Sequence, residues 1–398
     1  MMLRLRSFPV WATIGILVVI GQSFLVVFSP MTRASRAFGG SVGPGGVALL
    51  SSDSWYYLRL AESPSLLEAS PLTRVALPAI LWFGAVLGSA EVFSVSLNLL
   101  ALLLAGIALH RLGHRLGGTR AAGLLAAAAL VVNPFVTQWA RFVLTETLSY
   151  AAIVGILWAV VQFVDDRSTK ALGLLVVLGS FITLLRPNGV LVFAGALGVV
   201  TLSLARGRLR RTVLQMLIWA VALTVFFVGS REPELGSERT SQLVIGLLYD
   251  GVVVEGTPEV LVTTSMPAVA DPEDRSLRAA IEYSVRHPLS VARLAGLRVA
   301  HETLQLRRHY PDSVNILLFG GFALFLSFAV IGARVAPSRS LQQAAMFLAF
   351  PQVMLVAGTF AVPEARYGWT YLVTLCVWAG IGADRLLRRL PWWSDAGV

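Results

Sequence analysis

The stretch Pro71-Leu72-Thr73-Arg74-Val75-Ala76-Leu77-Pro78-Ala79-Ile80-Leu81-Trp82-Phe83-Gly84-Ala85-Val86-Leu87-Gly88 decides how the chain is threaded. It is apolar, but Arg74 and Pro78 interrupt it, and Ser89-Ala90 barely separates it from the next apolar run. If it crosses a bilayer, every later basic loop changes sides. Around it lie 398 residues, 56% hydrophobic and 14% charged, with a mean hydropathy of +0.74. A soluble protein carries about a quarter charged residues. This chain cannot cover itself with polar surface, so it reads as an all-α, polytopic transmembrane helix bundle. At roughly 20 apolar residues per span, ten spans are expected: Phe8–Phe28, Glu91–His110, Ala121–Thr137, Glu146–Val164, Ala171–Leu185, Asn188–Ala205, Thr212–Val228, Val314–Ala333, Leu341–Phe360 and Tyr367–Ala383.

Charge sets the sidedness. Cytoplasmic loops of membrane proteins are enriched in Lys and Arg. With Pro71–Gly88 kept from crossing, one face holds the N-terminus, His110–Arg120, Asp165–Lys170, Arg206–Arg211, Arg334–Ser340 and the tail from Asp384. That face carries 16 of the 32 Lys+Arg but only four of the 22 Asp+Glu, and is the expected cytoplasmic side of a bacterial or archaeal plasma membrane. Pro71–Gly88 is then an interfacial or re-entrant segment, tolerated where protein or a cavity shields its backbone. The run after Arg4 and Arg6 is too long for a signal peptide, so both termini are expected in the cytoplasm. The net charge of +10 follows from this asymmetry and does not point to nucleic acid. The single cysteine, Cys376, lies in an apolar run and reads as a packing residue.

Two loops on the other face are long, residues 29–90 and 229–313. The first contains Ser51-Ser52-Asp53-Ser54-Trp55-Tyr56-Tyr57-Leu58-Arg59. This polar stretch offers a carboxylate, aromatic rings and a cation. Asp53 is a candidate general base; the plainer alternative is that it caps a short helix from Ser54 to Ala61, because Asp is a favoured cap. Glu146, in Arg141-Phe142-Val143-Leu144-Thr145-Glu146-Thr147, opens the fourth span. It either rests in the favourable field of a helix N-terminus or faces the Asp53 cavity and orients an acceptor or a cation. Arg186, in Arg186-Pro187-Asn188-Gly189, and Arg366-Tyr367, at the start of the last span, are either interfacial anchors or grips for a phosphate, which Arg binds through charge-assisted bonds.

The 229–313 loop reads as irregular, then as two helices. Asp271 is the expected cap of the first, and His287-Pro288 the break. The second interleaves Leu289, Leu294, Leu297 and Leu304 with Arg293, Arg298, Arg307 and Arg308. It suits a helix lying on the membrane surface, or equally a packed cover with a basic outer face. His301 and His309, eight apart, lack the compact spacing of a zinc site, and His110 and His114, four apart, lie in an expected cytoplasmic basic loop with no Cys or carboxylate beside them.

In their order these features resemble the GT-C superfamily of polytopic glycosyltransferases, and within it the protein O-mannosyltransferase and aminoarabinose transferase branch. The resemblance rests on Asp53-Ser54-Trp55-Tyr56-Tyr57 with Ala61, Pro71–Gly88, His110-Arg111-Leu112-Gly113, Thr145-Glu146-Thr147-Leu148, Arg186-Pro187, His287-Pro288 and Arg366-Tyr367. It implies one transmembrane domain over residues 1–398, with interfacial helices in the first outer loop. It implies an inverting enzyme of the cell envelope that moves a sugar from a polyprenyl-phosphate donor to a hydroxyl of a lipid, glycan or protein acceptor. It also implies Asp53 as catalytic base; Glu146 is the second catalytic candidate, and Tyr56, Tyr57, Arg59, Arg186, Arg366 and Tyr367 are the candidates for substrate contact. Two departures stand out. Serines flank Asp53 where many members carry a second acidic residue, and the chain stops soon after the last span. They leave a divalent cation, and any other cofactor, open. The rival readings are a lipid or polysaccharide transporter or flippase, and a non-enzymatic envelope assembly protein. Transporters commonly place polar sites at the midplane, whereas here the polar groups sit at one edge.

Overall fold

In a computed structural model, residues 9–28, 41–42, 48–62, 74–205, 207–229, 244–255, 260–269, 271–304, 311–359, 361 and 367–390 are described. The elements are α1 (Val10–Phe28), β1 (Ser41–Val42), β2 (Leu49–Leu50), α2 (Ser52–Glu62), α3 (Ala76–Val86), α4 (Ala90–Gly117), α5 (Arg120–Val131), α6 (Pro134–Arg141), α7 (Glu146–Asp166), α8 (Thr169–Leu185), α9 (Gly189–Leu204) and α10 (Arg208–Gly229). Then come β3 (Val252–Val254), β4 (Val262–Thr263), α11 (Leu277–Arg286), α12 (Pro288–Leu304), α13 (Asp312–Val335), α14 (Arg339–Gly358) and α15 (Trp369–Leu387). The strands form two small antiparallel pairs, β1 with β2 and β3 with β4.

The expectation of ten spans is corrected. Five described helices, α4, α7, α13, α14 and α15, are long and apolar enough to cross a membrane. A sixth is added if α5 and α6, bent by 52° at Asn133, count as one span. The others fall short on length or charge, and α8 and α9 do so although their ends lie within two residues of the expected spans. Ser168 accepts from Ala171 N and starts α8, which ends before Arg186 after 17 residues, about 25 Å at 1.5 Å each. The α9 helix has 16 residues, and a hydrocarbon core is about 30 Å thick. Within α1 only Val10–Ser23 qualifies as an apolar helix, and α10 opens with Arg208, Arg210 and Arg211. The Pro71–Gly88 stretch contains α3, whose 11 residues reach only about 16 Å.

The core is built on α7 and α15, which are buried along most of their length, while α13 exposes Ile316, Leu317, Phe319 and Leu324. An apolar surface of that kind needs a membrane to cover it, so this is a multi-pass membrane protein. Small residues let helices approach closely where lipid supplies no hydrophobic drive. A Cβ on Gly382 would lie 1.9 Å from Phe328 O, and one on Gly332 1.9 Å from Trp378 O, so α13 and α15 meet backbone to backbone.

The 244–304 segment packs rather than floats. Ser276, not Asp271, caps α11, accepting from Ala279 N; the Asp271 carboxylate accepts from Glu273 N in the preceding turn. Leu294, Arg298 and Glu302, one turn apart on α12, all point inward and are buried. The surface-lying alternative is thereby excluded for that face. Arg298 donates to Val252 O at 2.9 Å, Leu247 O at 3.2 Å and Ala357 O at 3.3 Å. Burial draws its pKa down to about 10, so it stays charged at neutral pH. Ala361 N donates to Val253 O, and Glu255 N to Ala361 O, which ties β3 to the chain after α14.

Arg298→Ala leaves three carbonyls without their donor, at about 1–3 kcal/mol for each that stays buried. Limited proteolysis should then cut within 244–304 while α4, α7 and α15 stay protected; an unchanged cleavage pattern would show that Arg298 does not hold this segment.

Candidate functional site at one end of the bundle

Asp53 sits in the first turn of α2 and is half-buried. Capping is done by serine: Ser51 Oγ accepts from Ser54 N at 3.2 Å, and Ser54 Oγ accepts from Ser51 N at 3.0 Å. This reciprocal pair satisfies the orphan donors at the helix start, so the cap role offered to Asp53 in the sequence belongs to Ser51. An Asp in the first turn is also favoured by the helix dipole. Tyr56 and Tyr57 meet edge to face with centroids 5.5 Å apart. Arg59 is exposed and its Nε folds back to Trp55 O.

The segment before Glu146 fastens α2 to the bundle. Leu49 bridges Phe142, and Val143 N donates to Leu49 O at 3.4 Å. Leu50, Leu58 and Ala61 share an apolar cluster with Val143, Leu148 and Leu185. Leu148 is two residues past Glu146, and Leu185 directly precedes Arg186. Asn98, buried inside α4, donates to Ala140 O at 3.3 Å and Phe142 O at 3.1 Å, fixing this segment from below. Sequence reasoning passed over Asn98, although an amide inside an apolar span is a signal.

Glu146 and Arg186 meet. Glu146 is fully buried at the start of α7, and its Oε1 lies 3.3 Å from Arg186 Nη2. Arg186, the residue after α8, is also buried, and its guanidinium carbon stands 5.2 Å from the centre of the Tyr367 ring. Its Nη1 is buried and reaches no acceptor among the described residues. Next to it, Asn188 Nδ2 donates to Gln352 Oε1 at 2.7 Å; Thr370 Oγ1 donates to Tyr367 O at 2.5 Å and stands 3.4 Å from the same Gln352 oxygen. The start of α7 and the residues just before α15, distant in sequence, thus converge on a cation in the turn after α8. Arg366, Glu364 and His309 lie outside the described residues.

The opposite end of α7, 21 residues or about 30 Å away, is a separate polar layer. There Arg115 pairs with Asp166 at 2.6 Å and Asp165 at 3.4 Å, Thr119 donates to Asp384, and Arg167 reaches Ser203. His110, Arg111, His114 and Arg115 are not in a loop, because α4 runs on to Gly117. The two imidazoles stack 6.0 Å apart. Among the described residues no three His, Cys, Asp or Glu side chains gather as a metal site would require.

Removing one member of a buried ion pair costs about 3–5 kcal/mol because the other charge is stranded, whereas an apolar replacement of both is near neutral. Arg186→Met should therefore lower the thermal midpoint in detergent more than Arg186→Met combined with Glu146→Leu; equal losses would show the pair is not energetically coupled.

No curated protein and no solved structure matches the chain. Residues 75–230, which include Glu146 and Arg186 but neither Asp53 nor Tyr367, match the family model of the dolichyl-phosphate-mannose-protein mannosyltransferases, so over this stretch the chain carries a domain similar to that GT-C family.

Proposed function

We propose that the protein is a membrane glycosyltransferase that takes a sugar from a polyprenyl-phosphate donor and places it on an acceptor hydroxyl. The observation that carries this reading is the buried Arg186 cation, held by Glu146 and Tyr367 inside and beside the matched domain, with the Asp53 helix anchored to the same segment. The outer face is assigned by charge. The end opposite this site bears Arg111, Arg115, Arg120, Arg167, Lys170 and Arg388 against Asp165, Asp166 and Asp384, and basic residues favour the cytoplasmic side.

In this mechanism the Asp53 carboxylate takes the proton of the acceptor hydroxyl. The acceptor oxygen bonds to the anomeric carbon from the face opposite the phosphate. The bond from that carbon to the phosphate oxygen breaks, and its electrons stay on the departing polyprenyl phosphate. The anomeric configuration inverts. A positioned base contributes about 10²- to 10⁴-fold. Arg186 stabilises the charge growing on the leaving oxygen, as a preorganised donor in a water-poor site does; Arg366 is assigned the same task. Glu146 is assigned to orient Arg186, and Tyr56, Tyr57 and Arg59 to flank the acceptor's approach. The lipid tail is assigned to an apolar groove of about 470 Å³ between α9, α10 and α14, lined by Leu191, Trp219, Phe350 and Met354. The family match makes mannose the first sugar to try, with glucose, galactose and arabinose next; lipid, glycan and protein acceptors all fit the reaction.

The test is consumption of radiolabelled polyprenyl-phosphate sugars by purified protein. Wild type should release polyprenyl phosphate, Asp53→Asn should lose at least about 100-fold with unchanged folding, and Arg186→Lys should be slowed through its non-planar head. Activity retained in Asp53→Asn refutes the base assignment; no turnover of any of these donors refutes the enzyme.

A further inference from the structure

We infer that Glu302, on the segment covering this end of the bundle, is a positioning residue for the Arg186 cation and acts through Tyr367. The inference rests on the glycosyltransferase reading for its consequence, though not for its geometry. Glu302 is fully buried in the last turn of α12. Its Oε1 accepts from Tyr367 N at 2.7 Å and from Gly368 N at 2.8 Å, across 65 and 66 residues of sequence. Thr303 Oγ1 and Tyr371 Oη lie 2.7 Å apart beside it. The approach is closed to any side chain at 368: a Cβ there would lie 2.6 Å from Glu302 O and 3.2 Å from Glu302 Cγ.

A buried carboxylate is a costly way to cap a helix. A local serine does the same for α11 and α2, Ser276 and Ser51, at far lower desolvation cost. What the distant carboxylate adds is direction. Two charge-assisted bonds to consecutive N–H groups fix the backbone of Tyr367, hence its Cα–Cβ vector and the placement of its ring. That ring carries the Arg186 guanidinium on its face at 5.2 Å, a contact that is favourable when desolvated. Arg186 in turn faces Glu146. Arg298, one turn before Glu302, locks α12 to three carbonyls, so the carboxylate is delivered from a fixed support. The chain of contacts runs from the covering segment to the phosphate-seating cation.

The test uses full-length protein in detergent, with Glu302→Gln and Gly368→Ala attacking the contact from its two sides. Amide hydrogen exchange should speed up in 367–372 and also in 186–190, with the centres of α4 and α7 unchanged. In the transfer assay, Glu302→Gln should lower kcat about tenfold, since small misplacements of a catalytic group cost on this scale. Added to Tyr367→Leu, it should cost less than about twofold more, because residues acting through one another are not additive. Fully multiplicative losses, unchanged exchange at 186–190, or loss of protection across all helices in both variants overturn the proposal. The exchange measurement needs no turnover, so a protein that transfers no sugar would sink the functional reading and still leave the Glu302 relay decided.

Discussion

A helix bundle with so little charge can keep a buried cation only if something within reach compensates it, and the pairing of Arg186 with Glu146 meets that need. Taking the two ions from water costs several kcal/mol each, so the pair adds little net stability. It constrains position instead. Glu146 is fixed by the start of α7, Arg186 by the end of α8, and the ion pair holds these two helix ends together. Around it the turn at Asn188 is tied to α14 by two hydrogen bonds with Gln352, Nδ2 donating to its Oε1 and its Nε2 donating to Asn188 O, so this level of the bundle is cross-linked by polar contacts rather than by packing alone.

The two ends of α7 show opposite solutions to the same problem. At the Asp166 end, charges are partly exposed and screened, and such pairs contribute little; their sign asymmetry instead bears on orientation in the membrane. At the Glu146 end, the charges are enclosed, and the 244–304 segment reaches the backbone of Tyr367, whose ring stands over Arg186. That segment is itself held by buried polar contacts, Arg298 on carbonyls and Glu302 on backbone N–H groups. Enclosure raises the strength of every electrostatic contact beneath it, which suits chemistry that moves charge onto a phosphate.

Local signals made some of this legible. Glu146 was visible as a carboxylate opening an apolar run, and Arg186 as a cation in a Pro-Asn-Gly turn. Their contact was not, because nothing in a single chain tells which helix ends share a level. The span count failed because apolar runs such as Ala171–Leu185 and Asn188–Ala205 read as crossings although the helices they form, of 17 and 16 residues, are shorter than the hydrocarbon core. Asp53 looked like a cap because the serine pair that does the capping is ordinary on either side of it. The α12 helix misled most: interleaved Arg and Leu imply a wet basic face and a dry apolar one, yet the dry face carries Leu294, Arg298 and Glu302 together. Periodicity reports which residues share a face, and only their partners show that the face is buried.

Under the proposed function, Arg186 would take a second anion without losing the first. A guanidinium offers five N–H donors in a fixed plane. Glu146 meets Nη2, the Tyr367 ring covers one face, and Nη1 reaches no acceptor among the described residues. An arginine balanced in this way keeps its geometry when the site is empty, so little ordering is left to be done when an anion arrives. The carboxylate beside it also weakens its hold on any phosphate, because the two anions repel. For a transferase whose product is the more highly charged lipid phosphate, that weakening favours release after the sugar has left. In the proposed reaction this arrangement would trade tightness of binding for turnover, the compromise expected of a group meant to stabilise charge only while a bond is breaking.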